Sequence, residues 1–532
     1  MDGALKQNLI ERVAVGDIFR RRAATSVEKT ALVETRGDKE IRLSYRELNQ
    51  KLNRFARAAR AAGFQKGDRI GLLGLNSSEY VIALYGCAKA GIIAVPINPG
   101  LNPKDVIYVL NHAEVKALVV DDQLFPLADA VKPHLPKVEL MIGIPATDQA
   151  VNDPYIPFED FLKNQPDDEI EDVIIKDRDV LEILYTSGTT SLPKGVMVSH
   201  LSTFIMSLTN AIEMELQRET VTTALLPIFH CAQQTFALTT FHLGGKLTLF
   251  RAFDPTALLK AIEKEQIQTM LALPIMYRTM LDHPLVKTVD LSSMRTCVYA
   301  MTPMDHRTLK EGIETFGADF MLGTGQTECF PSTNTFRPEW QLKKNGNYWG
   351  ESALTLDTAV MDLEGNLLPQ GKTGEIVWRG PAVMNGYLKN EEATEESRAF
   401  AWHHSGDLGY FDEDNLLVFV DRKKDMIKSG GENVPSIKVE RVILADPRIQ
   451  SVAVVGIPHQ QWIEAVTAFV VPQAGAELSE ADVIQLCKEQ LGRFEVPKRV
   501  VFLEEMPLTS TGKVRKNVLR QEYQNLFEED KQ

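Results

Sequence analysis

TSGTTSLPKG, residues 186–195, stands between two apolar runs, Val180–Tyr185 and Val196–Val198. Both runs read as buried strands, and the stretch between them as their polar connection. Its residue types suit an anion. Glycines at 188 and 195 let a backbone approach a phosphate closely. The hydroxyls of Thr186, Ser187, Thr189 and Thr190 donate to phosphate oxygens, and Lys194 adds positive charge. The spacing is not that of a Walker loop. Counted from Gly188, Pro193 holds the place of the second glycine, and Gly195 rather than Ser or Thr follows Lys194.

On either side of this loop, short apolar runs alternate with helical patterns, as in a mostly parallel sheet covered on both faces. Ser44 and Glu47 form a capping box ahead of Leu48, Leu52, Phe55 and Ala59 at helical spacing. Strand runs follow at 69–74, 92–97 and 117–120, and later at 269–273 and 296–300. Asp254-Pro255 predicts a capped helix through Glu263. From Thr358 to Val420 the texture changes to short strands and Gly/Asn turns, which predicts a small β-rich subdomain. Beyond Asp421, runs at 452–455, 466–471 and 500–502 and a helix capped by Ser479 predict a separate small α+β domain.

Composition narrows the function classes. A chain of 532 residues is too long for one core. With 44% apolar and 24% charged residues it reads as an ordinary globular protein. A net charge of −14 excludes a nucleic acid as main partner, because phosphate-backbone binding needs a basic face. Cys87, Cys231, Cys297, Cys329 and Cys487 are scattered singly, which fits a reducing, cytoplasmic setting without disulfide framework or zinc site. The N-terminal residues carry charges where a signal peptide needs an apolar core, and no apolar stretch is long enough to predict a membrane span.

Further motifs accompany the loop: PIFH at 227–230, GQTE at 325–328, GEIVWRGPAVMNGYLKN at 374–390, SGDLGYFDEDNLLVFVDRKKDMIKSGGEN at 405–433 and TSTGKVRK at 509–516. With these six in order, the chain resembles the adenylate-forming superfamily of acyl-CoA synthetases, adenylation domains and beetle luciferases. The resemblance implies a large N-terminal AMP-binding domain of layered α/β subdomains over 1–420. It also implies a hinge at 421–425 and a mobile C-terminal domain over 426–532. ATP, magnesium and CoA are the implied cofactor and co-substrates, with a small carboxylic acid as partner. The oligomeric state, monomer or homodimer, stays open.

The resemblance also implies residue roles. Asp407 accepts hydrogen bonds from the ribose hydroxyls, a task that suits the two oxygens of a carboxylate. Arg422 contacts ribose or phosphate, and Lys424 is the pivot; as a bare charge run, 421–425 reads only as a solvated loop. Gly325 and Gln326 line the nucleotide site, Thr327 bonds the α-phosphate, and Glu328 is the magnesium carboxylate. Lys513 is the mobile lysine that stabilises charge between carboxylate and α-phosphate. Gly430 and Gly431 belong to a loop that serves the thiol. His230 lies beside the acyl carboxylate, and as a lone histidine among apolar residues it reads equally as a packed core residue.

Three positions depart from the family pattern: Ser191 for glycine, Thr324 for an aromatic, and Ala300-Met301-Thr302-Pro303 for Gly-Ala-Pro. The implied activity is an acid–CoA ligase working through acyl-AMP. Phe229, Cys231, Ala232, Phe236, Met301 and Leu322 make an apolar acyl lining, which favours a medium- or long-chain fatty acid. TSGTTS and GGENV are similar to the carnitine/crotonobetaine–CoA ligases, so such an acid or an aromatic one is the alternative. A carrier-protein-loading adenylation domain is disfavoured, because no carboxylate follows Phe229.

Overall fold

The computed structural model describes residues 3–37, 39–147, 149–186, 192–300, 303–508 and 513–527. Ser187, Gly188, Thr189, Thr190, Ser191 and Met301 lie outside them. The chain forms two compact units. One is built from the chain up to Thr186, from Pro193 to Thr358 and from Trp378 to His403; the other from Ala359 to Val377 and from His404 onward.

The first unit carries an eight-stranded sheet. Its order is Gly386–Tyr387, Lys194–Ser199, Val180–Thr186, Ile93–Pro96, Arg69–Leu73, Ala117–Asp121, Leu140–Ile144 and Ile156–Pro157. From Val180–Thr186 to the Ile156 edge all pairings are parallel, and the inner strands are largely apolar and buried, as cover by helices requires. Val180–Thr186 and Lys194–Ser199 are antiparallel and bring Thr186 opposite Lys194. A second sheet of this unit runs parallel through Asp319–Gly325, Thr296–Tyr299, Thr269–Ala272, Val221–Ala224, Lys246–Leu249 and Thr30–Arg36.

Local signals act where they were expected. Ser44 and Glu47 close a capping box on helix Tyr45–Ala61, and Asp254 caps helix Pro255–Glu265. Helix Cys231–His242 starts directly after His230 and is buried nearly all round, with Phe236 packed among Leu226, Leu271 and Met321.

In the second unit, the strand residues 374–377, 404–411 and 417–422 lie side by side, the short-stranded region expected between Thr358 and Val420. A five-stranded sheet follows, in which Ile449–His459 pairs with Ile463–Pro472 and Arg499–Phe502 lies parallel to the latter. Helices Ser436–Leu444 and Glu480–Gln490 pack on it through Val439, Ile443, Val483 and Cys487.

The charge run at 421–425 is only partly solvated. Asp421 is 1% exposed and accepts hydrogen bonds from Ser436 N–H at 2.5 Å and Ser436 Oγ at 2.8 Å. It thereby satisfies donors at the start of helix Ser436–Leu444, whose own cap, Pro435, offers no side-chain acceptor. Asp425 is also buried and pairs with Arg520 at 2.8 Å. Lys423 and Lys424 point outward. Among the described residues no helix is long and apolar enough to cross a membrane.

Candidate active site

In the first unit, the hairpin end holds Thr186 and Lys194 in register, both half-buried. Its base is braced by Tyr185, whose hydroxyl lies 2.7 Å from His112 Nδ1 and whose ring packs on Gly195. A Cβ at Gly195 would come within 3.1 Å of that ring, so a larger residue here would press on Tyr185.

The segment from Gly325 to Pro331 folds back on itself. Gln326 N–H donates to the carbonyl of Pro331 at 3.0 Å, and a Cβ on Gly325 would lie 1.5 Å from that same oxygen. Glycine is therefore obligatory at 325. The turn presents Thr327 and Glu328 side by side in a short 3-10 segment, both half-buried. Thr327 Oγ1 lies 3.6 Å from Cys231 Sγ, which places it at the start of the helix that His230 precedes. Burial pushes the Cys231 thiol up to about 12, so it is a neutral donor and no nucleophile. His230 is half-buried, with its ring against Phe229 at 4.5 Å.

Glu328 and Lys194 are linked through a residue whose role the sequence left unassigned. Tyr387 donates its hydroxyl to Glu328 Oε1 at 3.0 Å, and Lys194 Nζ stands 4.8 Å from the centre of the same ring. Burial, with the Glu328 carboxylate beside it, raises the phenol well above its ordinary value and keeps it a donor. Glu182, four residues before Thr186 on the same strand, was likewise hidden in an apolar run. Its side chain is wholly buried, and burial raises its carboxyl to about 8, with Gln234 opposing the rise only in part. An enclosed cavity of about 10 Å³ lies against Glu182, Gln234, Thr203 and Phe330.

In the second unit, Asp407 and Arg422 are direct partners in neighbouring strands, with Arg422 Nε 3.7 Å from Asp407 Oδ1. Asp407 is buried, and its N–H donates to Ser405 Oγ at 2.9 Å. Gly430 and Gly431 have φ of +63° and +90°, a backbone that favours glycine, at the turn between Ile427–Ser429 and Glu432–Val434. Lys424 is exposed, and so is Lys513, next to the bridge between Leu508 and Val514. The structure thus brings Thr186, Lys194, Glu328, Thr327 and His230 into linked segments of one unit, and pairs Asp407 with Arg422 in the other. Of the acyl lining, Cys231, Phe236 and Leu322 are buried, and Phe229 and Ala232 are half-buried.

Known proteins match this arrangement over nearly its whole length. The 4-hydroxybutyrate–CoA ligase 2 of Metallosphaera sedula is 32% identical over 510 residues, covering 93% of this chain and 92% of that protein. A long-chain-fatty-acid–CoA ligase of Mycobacterium tuberculosis is also 32% identical over 510 residues, covering 96% and 98%. The solved structure of a Mycobacterium tuberculosis fatty acyl CoA synthetase superposes with a TM-score of 0.79 at 30% identity, covering 97% of this chain and 99% of that one. The family model described as AMP-binding enzyme matches residues 19–388, and the one described as AMP-binding enzyme C-terminal domain matches 438–513. The chain belongs to the AMP-binding enzyme family, with both of the family's characteristic parts present in order.

Proposed function

We propose that the protein is an AMP-forming acid–CoA ligase. In the first half-reaction a carboxylate oxygen of the acid attacks the α-phosphorus of ATP. The bond from that phosphorus to the bridging oxygen breaks, and pyrophosphate leaves. In the second, the CoA sulfur attacks the acyl carbon, the carbon–oxygen bond to AMP breaks, and the thiol proton passes to solvent. Activation as a mixed anhydride is needed because a free carboxylate is a poor electrophile.

The observation that carries the reading is the meeting of a cation and a carboxylate at one side chain, Lys194 and Glu328 at Tyr387, with the Thr327 hydroxyl next to Glu328 in the same turn. Lys194 and the hydroxyls of residues 186–190 bind the phosphates, and Thr327 donates to the α-phosphate. The carboxylate of Glu328 fits a magnesium ion, a hard cation that takes oxygen ligands and needs only one or two protein carboxylates. Bound there, the metal supplies charge neutralisation for the phosphates. Asp407 accepts from the ribose diol and Arg422 contacts ribose or phosphate, a reading supported by their pairing in adjacent strands. Gly325 and Gln326 flank the nucleotide. Lys513 stabilises the first transition state, and the loop with Gly430 and Gly431 serves the thiol in the second. In this reading residues 1–420 form the adenylating domain, 421–425 the hinge with Lys424 as pivot, and 426–532 the mobile domain. His230 borders the acid's carboxylate.

For the acid, a medium- or long-chain fatty acid is favoured by the apolar character of Phe229, beside His230, and of Ala232, Phe236 and Leu322. Carnitine-type and aromatic acids are the alternatives. The five cysteines are all free and buried, in keeping with a cytoplasmic place. The test is pyrophosphate release measured over acids of graded length, with and without CoA. Release that depends on the acid, with acyl-CoA formed only when CoA is present, supports the ligase; release that depends on an amino acid and a carrier protein contradicts it.

A further inference from the structure

Three separate segments converge on the Tyr387 ring. Lys194 begins strand Lys194–Ser199, Glu328 sits in the turn Thr327–Cys329, and Tyr387 ends strand Gly386–Tyr387. The ring face, which is electronegative, meets the ammonium at 4.8 Å; the hydroxyl, which is electropositive at its hydrogen, meets the carboxylate at 3.0 Å. Each end of one side chain is matched to the charge it faces.

The ring is held by main chain on both sides. Tyr387 pairs with Val196, its N–H donates to Thr394 Oγ1 at 2.9 Å, and Leu388 N–H donates to the Gly195 carbonyl at 2.8 Å. The turn is fixed to the same segment, because Met384 N–H donates to the Glu328 carbonyl at 2.8 Å. Lys194 and Glu328 meet the same side chain, and Lys194 forms no ion pair with a carboxylate among the described residues. Each instead meets the Tyr387 side chain, the ammonium at the ring face and the carboxylate at the hydroxyl.

We propose that Tyr387 is a positioning residue that keeps Lys194 and Glu328 from neutralising each other, and whose hydroxyl orients the Glu328 carboxylate toward a divalent cation. What the two charges hold rests on the ligase reading; the spacing rests on the geometry alone. Without the ring, Lys194 and Glu328 collapse into a salt bridge, and the site loses a cation for phosphate and a carboxylate for metal together.

The experiment uses the full chain, Mn²⁺ as metal probe followed by its paramagnetic resonance, and a non-hydrolysable ATP analogue followed by calorimetry. Y387F keeps the ring and loses the hydroxyl. Its Mn²⁺ affinity in the presence of the analogue should fall about tenfold, the loss expected for one hydrogen bond to a charged group, with metal-free analogue binding unchanged. Y387A, or Y387L if the smaller variant unfolds, should weaken both. Adding E328Q to that variant should restore metal-free analogue binding, because Lys194 is released. Restoration is a result that mere structural damage does not give. Mn²⁺ affinity of Y387F equal to the parent, or no restoration by E328Q, overturns the proposal while leaving the ligase reading in place. A parent protein that binds neither Mn²⁺ nor the analogue overturns both.

Discussion

The charges around Lys194 and those around Asp421 are handled in opposite ways. At Lys194 an ammonium and the carboxylate of Glu328 share one ring without touching each other, and all three side chains are half-buried. Around Asp421 the buried charges are paired. Its carboxylate is buried on Ser436, Lys516 Nζ donates to Ser436 Oγ at 2.6 Å and pairs with Glu440 at 2.7 Å, and Arg520 covers Asp425. A buried charge is retained only when paired and hydrogen-bonded, which is the structural case. An ammonium such as that of Lys194, which forms no ion pair among the described residues, is available to a ligand. The contrast separates the residues that bind from those that fold, within a chain that carries 58 basic and 72 acidic side chains.

The sharpest way to break this comparison is to remove a charge assigned to ligand rather than to fold. Lys513→Ala should lower acyl-AMP formation by about 10²–10³-fold, as for loss of one transition-state donor. Thioester formation from supplied acyl-AMP and the melting temperature should stay largely as they are. Parallel rate measurements of the two half-reactions decide it, and an equal fall in both would place Lys513 among the structural charges.

Glu182 tests the opposite class, a carboxyl neutralised by its own proton. Its value in the fold is about 8 against an ordinary 4.5, so between those limits it is protonated when folded and ionised when unfolded. Unfolding then releases a proton, and stability falls as pH rises through that window, levelling off above about pH 8. The slope should approach about 1.4 kcal/mol per pH unit, so denaturant melts at pH 6 and pH 7.5 should differ by about 2 kcal/mol more in the parent than in Glu182→Gln. Identical pH profiles would mean that Glu182 is ionised in the fold.

A smaller effect is expected at the link itself. Asp421→Ala strands the Ser436 donors and should cost about 1–3 kcal/mol, read as a lower unfolding midpoint of the C-terminal part. Exposed Lys424→Ala should leave that midpoint unchanged within about 0.5 kcal/mol. Smallest per step is the acyl series: each added methylene should gain about 0.8 kcal/mol in kcat/KM until the pocket is full. A flat series with strong carnitine activity would replace the fatty acid by the alternative.

Much of this was legible in the residues because the signals are local. Ser44 with Glu47, Asp254 with Pro255, and the capping box that Ser479 closes with Asp482 mark helix starts within a few positions. The apolar runs on either side of 186–195 read as two strands, and those strands indeed pair, with Thr186 opposite Lys194. What stayed hidden depends on residues far apart in the chain. Tyr387 reaches Glu328 across 59 positions, and Arg520 reaches Asp425 across 95. No periodicity reports such pairs, so 421–425 read as a solvated loop although two of its carboxylates are buried. Glu182 was invisible for a different reason: one acidic residue in Val180–Tyr185 does not disturb the pattern of a strand, and only burial shows its charge to be suppressed.

The central claim is that the acid is activated as its adenylate, and oxygen tracing tests it most directly. The acid, labelled with ¹⁸O in its carboxylate, is incubated with ATP, magnesium and CoA, and the nucleotide product is weighed by mass spectrometry. Attack of the carboxylate on the α-phosphorus transfers one labelled oxygen, so AMP carrying a single ¹⁸O, with unlabelled pyrophosphate, is the predicted result. ADP as product, or AMP without label while acyl-CoA accumulates, would contradict it.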